Sequence, residues 1–191
     1  GTGDVGTCPE CTVMPVRVSD SFVADGGRFA AAVLFGLDSG ADIVQEALGA
    51  VNNPSQAQQA IDAAYRRGVP VVASMADEAS KHPNLPAAHD HTIPVNSMTQ
   101  TYGFLGDAGD LLDNDVFALN GCTNYGGIAW VTVPSDSCSS EATGLGAGMV
   151  GLMISAARDA GVSPPLDAGE VAQLLRGTAD DDDFATPHGK E

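Results

Sequence analysis

Gly68-Val69-Pro70-Val71-Val72-Ala73 decides how this chain folds. The residues before it keep helical spacing at Ala57, Ile61, Ala64 and Tyr65, and Gly68 suits the left-handed turn that ends a helix. An apolar run too short to be a helix follows at once, which predicts a buried strand.

The same unit recurs on both sides. Upstream, Val13-Met14-Pro15-Val16-Arg17-Val18 reads as a strand, with Pro15 marking an edge or an irregularity. Residues 28–38 read as a helix with Phe29, Ala32, Val33 and Gly36 on one face, capped by Asp25 and closed by Gly40. Residues 42–48 are the next strand, and Ser55 is the expected cap of the helix that ends at Gly68. Downstream, residues 92–97 and 128–133 read as strands and residues 144–158 as a helix rich in Gly and Ala. Asp167 with Glu170 forms a capping box for a last helix reaching about Arg176. Strand–helix–strand units with short connections predict right-handed crossovers and an α/β fold with a mainly parallel sheet.

The 191 residues suit one domain, 1–191, whose residues 179–191 form an acidic tail. At 43% hydrophobic the chain builds a core, and its net charge of −17 repels phosphate backbones, which excludes nucleic acid as a partner. No stretch approaches the 18 apolar residues of a membrane span. The opening Gly1-Thr2-Gly3-Asp4 has no signal-peptide character and reads as an internal cut. Four cysteines, an even set, with few lysines point to an oxidising, extracellular setting.

The order of the motifs resembles the subtilisin-like serine peptidases, the subtilases. Gly6-Thr7-Cys8-Pro9-Glu10-Cys11-Thr12-Val13-Met14-Pro15-Val16-Arg17-Val18 is similar to "GVAPNAKIMPVRV", and Gly40-Ala41-Asp42-Ile43-Val44-Gln45-Glu46-Ala47-Leu48-Gly49 to "GADVINMSLG". The stretch from Gly68 to Glu78 is similar to "GVVVVAAAGNEG", and Thr123-Asn124-Tyr125-Gly126 to the "SNYG" before the last core strand. The stretch from Ser140 to Gly151 lies where subtilases carry "SGTSMAAPHVAG". The resemblance covers residue 3 to about residue 178 and implies a three-layer fold and a Ser-His-Asp peptidase mechanism.

The departures bear on function. The subtilase Asp and His lie upstream of the first motif, so an N-terminally truncated fold lacking both is expected. His82, His89, His91 and His188 all fall elsewhere. A gapless match on Gly151 places Thr143 at the nucleophile position and Glu141 at a family glycine; Ser140 or Ser139 would serve after a shift of three or four residues. Asp77 replaces the oxyanion asparagine, and an ionised carboxylate repels a developing oxyanion. Position assigns Ala47, Leu48 and Gly49 to one wall of a substrate slot and Ser74, Met75 and Ala76 to the other, with ordinary packing at strand ends as the alternative.

Cys8-Pro9-Glu10-Cys11 precedes a strand rather than a helix, so nothing lowers a thiol pKa there. The resemblance places Cys122 and Cys138 elsewhere in the fold, and two local disulfides, Cys8–Cys11 and Cys122–Cys138, are expected. His89-Asp90-His91 reads as surface rather than metal site, and Asp180 to Asp183 as a solvated acidic run with calcium as the other possibility.

In subtilases the strand bearing the catalytic Asp lies between those matching residues 13–18 and 42–48. Its absence leaves two strand edges to be closed by rearrangement, by a separate N-terminal segment, or by copies of this chain. Three functions follow: an inactive peptide- or protein-binding homologue, a fragment of an active secreted peptidase completed by another segment, or a self-assembling structural subunit.

Overall fold

The structure, a computed structural model, describes residues 6–21, 23–50, 52–82, 84–101 and 116–180. Asp181 to Asp183, His188 and most of the acidic tail lie outside the described residues. In chain order the elements are β1 (Val23–Ala24), α1 (Gly26–Asp38), β2 (Val44–Glu46), β3 (Gly49–Ala50), α2 (Ser55–Arg66), β4 (Val71–Ser74), β5 (Thr92–Thr101), β6 (Val116–Leu119), β7 (Val131–Pro134), α3 (Ser139–Asp159) and α4 (Ala168–Gly177).

The strand at the centre of the sequence is central in space. β4 lies between β2 and β5 and is parallel to both, and all four of its residues are buried. Side chains alternate across a strand, so Val71 and Val72 feed opposite faces. Val71 joins Phe29, Ala30, Val33, Leu37, Ala57, Ala60, Ile61 and Ala64 beneath α1 and α2. Val72 joins Ile93, Val95, Val131, Val133, Ala142, Val150, Val171 and Leu175 beneath α3 and α4. Helices on both faces of a mainly parallel sheet give the expected three layers. β7 pairs parallel with the middle of β5, from Val95 to Met98, and β6 pairs antiparallel with its end. β1 and β3, which the sequence pattern did not signal, form a separate two-residue parallel ladder.

Local chemistry sets the helix ends. Asp25 accepts the N–H groups of Gly27 and Arg28 at the start of α1, and Gly40 takes the left-handed turn (φ +82°) beyond its end. The cap of α2 is Pro54 rather than Ser55, and Gly68 turns out of the helix at φ +73°. Asp167 and Glu170 form the reciprocal capping box of α4.

Two further expectations are corrected. Residues 13–18 form neither strand nor helix, and Val13 is 82% exposed. A strand persists only with a ladder partner, and among the described residues neither this arm nor the outer edge of β2 has one. α3 also begins at Ser139, five residues before the expected start at residue 144. Its first turn is stabilised by a residue far away in sequence, as the site shows.

The arm is held at two points instead. The Cys8–Cys11 loop sits on α3, where a Cβ on Gly148 would come within 2.7 Å of the Thr7 Cβ and one on Gly151 within 2.8 Å of the Cys11 Sγ. Met14 reaches Gly36 of α1 on the opposite face of the sheet. The arm therefore crosses the sheet edge beside Ile43. Gly151→Val should destabilise the chain by about 1–3 kcal/mol, since the sulfurs belong to a closed ring and cannot swing aside. Gly144→Ala, which meets open space, should stabilise it by up to about 1 kcal/mol. Urea unfolding measures both, and a faster reduction of Cys8–Cys11 in the valine variant would report the lifted arm.

Candidate functional site

In parallel α/β sheets the carboxyl ends of the strands form the ligand-facing side. Here the ends of β2 and β4 meet the amino end of α3. A helix opens with N–H groups that have no partner inside it. The cap residue of α3, Cys138, offers no side-chain bond. Asp77, on the loop leaving β4, supplies it: its Oδ1 accepts the Ser139 N–H at 2.9 Å and the Ser139 hydroxyl at 2.6 Å. A carboxylate at a helix amino end is also favoured by the helix dipole.

The hydroxyls form an ordered chain. The Ser139 proton goes to Asp77, so the Ser74 hydroxyl, 2.6 Å away, donates to the Ser139 Oγ. The Ser74 Oγ in turn accepts the Ala76 N–H at 3.3 Å. Ser139 is fully buried, whereas Ser140, the second residue of α3, is exposed. Thr143 sits one turn inside the helix with no exposure and donates its hydroxyl to the Ser139 carbonyl at 2.6 Å. The threonine placed at the nucleophile position is thus closed to solvent, and the serine three residues earlier faces it.

Between β2 and β4 lies a buried acid that the sequence did not single out. Glu46 Oε2 accepts the Leu48 N–H at 3.0 Å and Oε1 the Ser74 N–H at 3.2 Å. Burial pushes its carboxyl up to about 8, against the pull of those two N–H groups. It joins the two proposed walls. On the first, Ala47, Leu48 and Gly49 are half-buried, and Gly49 is laddered to Val23 of β1. The Leu48 carbonyl also accepts from Asn84. On the second, Ser74 faces α3 and Met75 is buried in the interior, so of that wall only Ala76 is partly open.

Ala76 carries φ +69°, a conformation that costs an alanine energy and that the surroundings must hold. Asn124, wholly buried, holds it. Its N–H donates to the Ala76 carbonyl at 2.8 Å, and its Oδ1 accepts the Glu78 and Ser80 N–H groups. Its Nδ2 donates to the Glu78 carboxylate. The Thr123-Asn124-Tyr125-Gly126 motif had marked a place in the chain; the structure shows its asparagine organising the loop that presents Asp77. Both expected disulfides form, with Cα separations of 5.3 Å for Cys8–Cys11 and 5.8 Å for Cys122–Cys138. The second ties the Asn124 loop to the start of α3.

The histidines lie apart from this cluster. His89 Nδ1 meets the Gln58 Oε1 at 3.0 Å, and His91 Nδ1 meets Asp62 at 3.1 Å while its ring stacks on Tyr65. Gln58 and then His91 hold the Asp62 carboxyl below the usual range, and burial lowers His89. Among the described residues no histidine nitrogen bonds Ser139, Ser140 or Thr143, and no three acids, histidines or cysteines converge as a metal site.

A family model described as the subtilase family matches residues 1–190. Thermitase of Thermoactinomyces vulgaris is 31% identical over 170 residues, covering 83% of this chain and 57% of thermitase. Among solved structures, the prenylagaramide maturation protease PagA superposes with a TM-score of 0.70 at 19% identity, covering 92% of this chain and 66% of that one. Sphericase superposes with a TM-score of 0.66 at 16% identity, covering 87% and 59%. The structural likenesses speak for the fold, and the chain spans little more than half the length of thermitase. With the family match running over nearly the whole sequence, the chain belongs to the subtilase family.

Proposed function

We propose that this chain is a subtilisin-like peptidase homologue that does not cleave peptides by itself and acts as a peptide- or protein-binding module in an oxidising, extracellular setting. The observation that carries this reading is Asp77. Its carboxylate presents an acceptor to the amino end of α3 and occupies the Ser139 N–H and hydroxyl. Acyl transfer needs donors aimed at the developing oxyanion, and losing one such donor typically costs roughly 3 kcal/mol. The nucleophile position is best assigned to exposed Ser140, and no described residue stands beside it as a base. The two disulfides support the oxidising compartment, and no helix among the described residues is long and apolar enough to cross a membrane.

A separate observation favours a second reading, a subtilase portion completed by further polypeptide. The outer edge of β2 has no ladder partner among the described residues, and the arm beside it exposes Val13, Met14 and Val16. An extended apolar segment laid between them would pair both edges, as strand addition does elsewhere. Self-assembly through these edges works against the net charge of −17.

Incubated with a denatured protein and a fluorophosphonate probe, the chain should show background turnover and no labelling. Labelling abolished by Ser140→Ala or by Thr143→Ala would overturn the inactive reading and identify the nucleophile. Asp77→Ala should lower the unfolding free energy by about 1–2 kcal/mol through the lost cap, and Asp77→Asn by less; neither should restore turnover. Light scattering addresses the edges: any self-association should grow with salt, which screens the like charges. A monomer at every salt and calcium concentration would remove self-assembly from the possibilities.

A further inference from the structure

A buried acid with no counter-charge among the described residues calls for a reason. Glu46 is 5% exposed, and its polar contacts are two backbone N–H groups. Those two belong to different strands: Leu48 follows β2, and Ser74 ends β4. The ladder between β2 and β4 closes at the Glu46–Ala73 pair, so beyond it the strands diverge. The side chain of Glu46 turns along its own strand and fills the place where the next rung would be. From Ser74 the connection continues through its hydroxyl to Ser139 and so to Asp77. One carboxyl thus stands at the head of a hydrogen-bonded line that joins both walls of the candidate site to the first turn of α3.

We propose that Glu46 is the positioning residue of this site, a carboxyl tie whose protonation state sets how the two walls and the start of α3 sit against one another. This rests on the reading that the carboxyl ends of β2 and β4 form the peptide-facing side. An uncharged carboxyl accepts two N–H groups without a buried charge. An ionised one binds them more strongly but draws water towards a dry site, and the walls adjust. None of the described charged groups on the loop after β4 or on α3 bonds Glu46. On the loop after β4, Asp77 bonds Ser139 and Glu78 bonds Asn124. On α3, Glu141 takes the Ser137 N–H, and Arg158 pairs with Asp42 at the far end of the helix; Asp159 lies beyond it in the last turn. Burial and two N–H groups alone set the titration of Glu46, with the carboxyl raised from 4.5 to about 8.

The sign of the linkage follows. The folded chain holds the Glu46 proton more tightly than the unfolded chain. The stability this contributes is complete below about pH 4.5, declines as pH rises towards about 8, and is absent above it.

The test uses the whole chain with isotope labels, titrated from mildly acidic to alkaline pH by NMR. The Glu46 carboxyl carbon and the Leu48 and Ser74 amides should share one inflection near pH 8, with Ala76 and Ser139 following and Gly36 remaining flat. Glu46→Gln should abolish the inflection and displace the Leu48 or Ser74 amide, since its NH2 group would face one of the N–H donors. Glu46→Met, of similar volume, should also abolish it and flatten the decline of Tm across the same window. An inflection in the ordinary carboxylate range, or Leu48 and Ser74 amides that ignore the titration of Glu46, would overturn the proposal. So would the same inflection persisting in Glu46→Met. The wild-type titration decides even if both variants fail to fold. Because no turnover is read, a catalytically active chain would refute the inactive reading and leave this test standing.

Discussion

The first turn of α3 begins with N–H groups that the helix cannot satisfy, at the point where the ends of two buried strands converge. An exposed helix would leave them to water. Here the partner is the loop leaving β4, from which Asp77 reaches across to the Ser139 N–H. Much else is arranged to keep that loop in place. Ala76 adopts a left-handed turn, Asn124 holds the turn from beneath, and the Cys122–Cys138 bridge binds the Asn124 loop to the residue preceding the helix. Without the Asp77 contact the first turn of α3 would have no cap, and the buried hydroxyls of Ser74 and Ser139 would lose the acceptor that orders them.

The same contact shapes the chemistry available. A helix amino end beside an exposed serine is a suitable place to stabilise a developing negative charge. In this chain a carboxylate already occupies it. The contact that caps the helix is therefore also the one on which the proposed lack of turnover rests, and the ordered hydroxyls of Ser139 and Ser74 carry it on to β4. The buried Glu46 extends this pattern, with a side chain taking the place of a missing rung between diverging strands.

Local signals in the sequence carried far. The Asp25 cap, the turns at Gly40 and Gly68 and the Asp167–Glu170 box depend on neighbours within a few residues, and each was legible. So was β4, whose run of apolar residues admits only a strand covered on both faces. The arm at residues 13–18 was misread because a strand is defined by its partner, and alternation alone supplies none. The start of α3 was misread for a related reason. Ser139, Ser140 and Glu141 resemble a loop until Asp77, 62 residues earlier, caps them. Thr143, placed at the nucleophile position by the match on Gly151, lies one turn inside this longer helix and is buried there.

By itself the sequence determined the family, the α/β order of elements, the two expected disulfides and the presence of an aspartate, Asp77, where the family motif has an asparagine. These are statements about residue identity and near neighbours, which a linear pattern contains. Tertiary structure alone decided that Ser140 faces solvent while Thr143 does not, that Asn124 holds the Asp77 loop, and that Glu46 bonds to both strands. Each of these depends on groups brought together from distant parts of the chain, where burial and hydrogen-bond geometry, rather than spacing, set what a side chain can do.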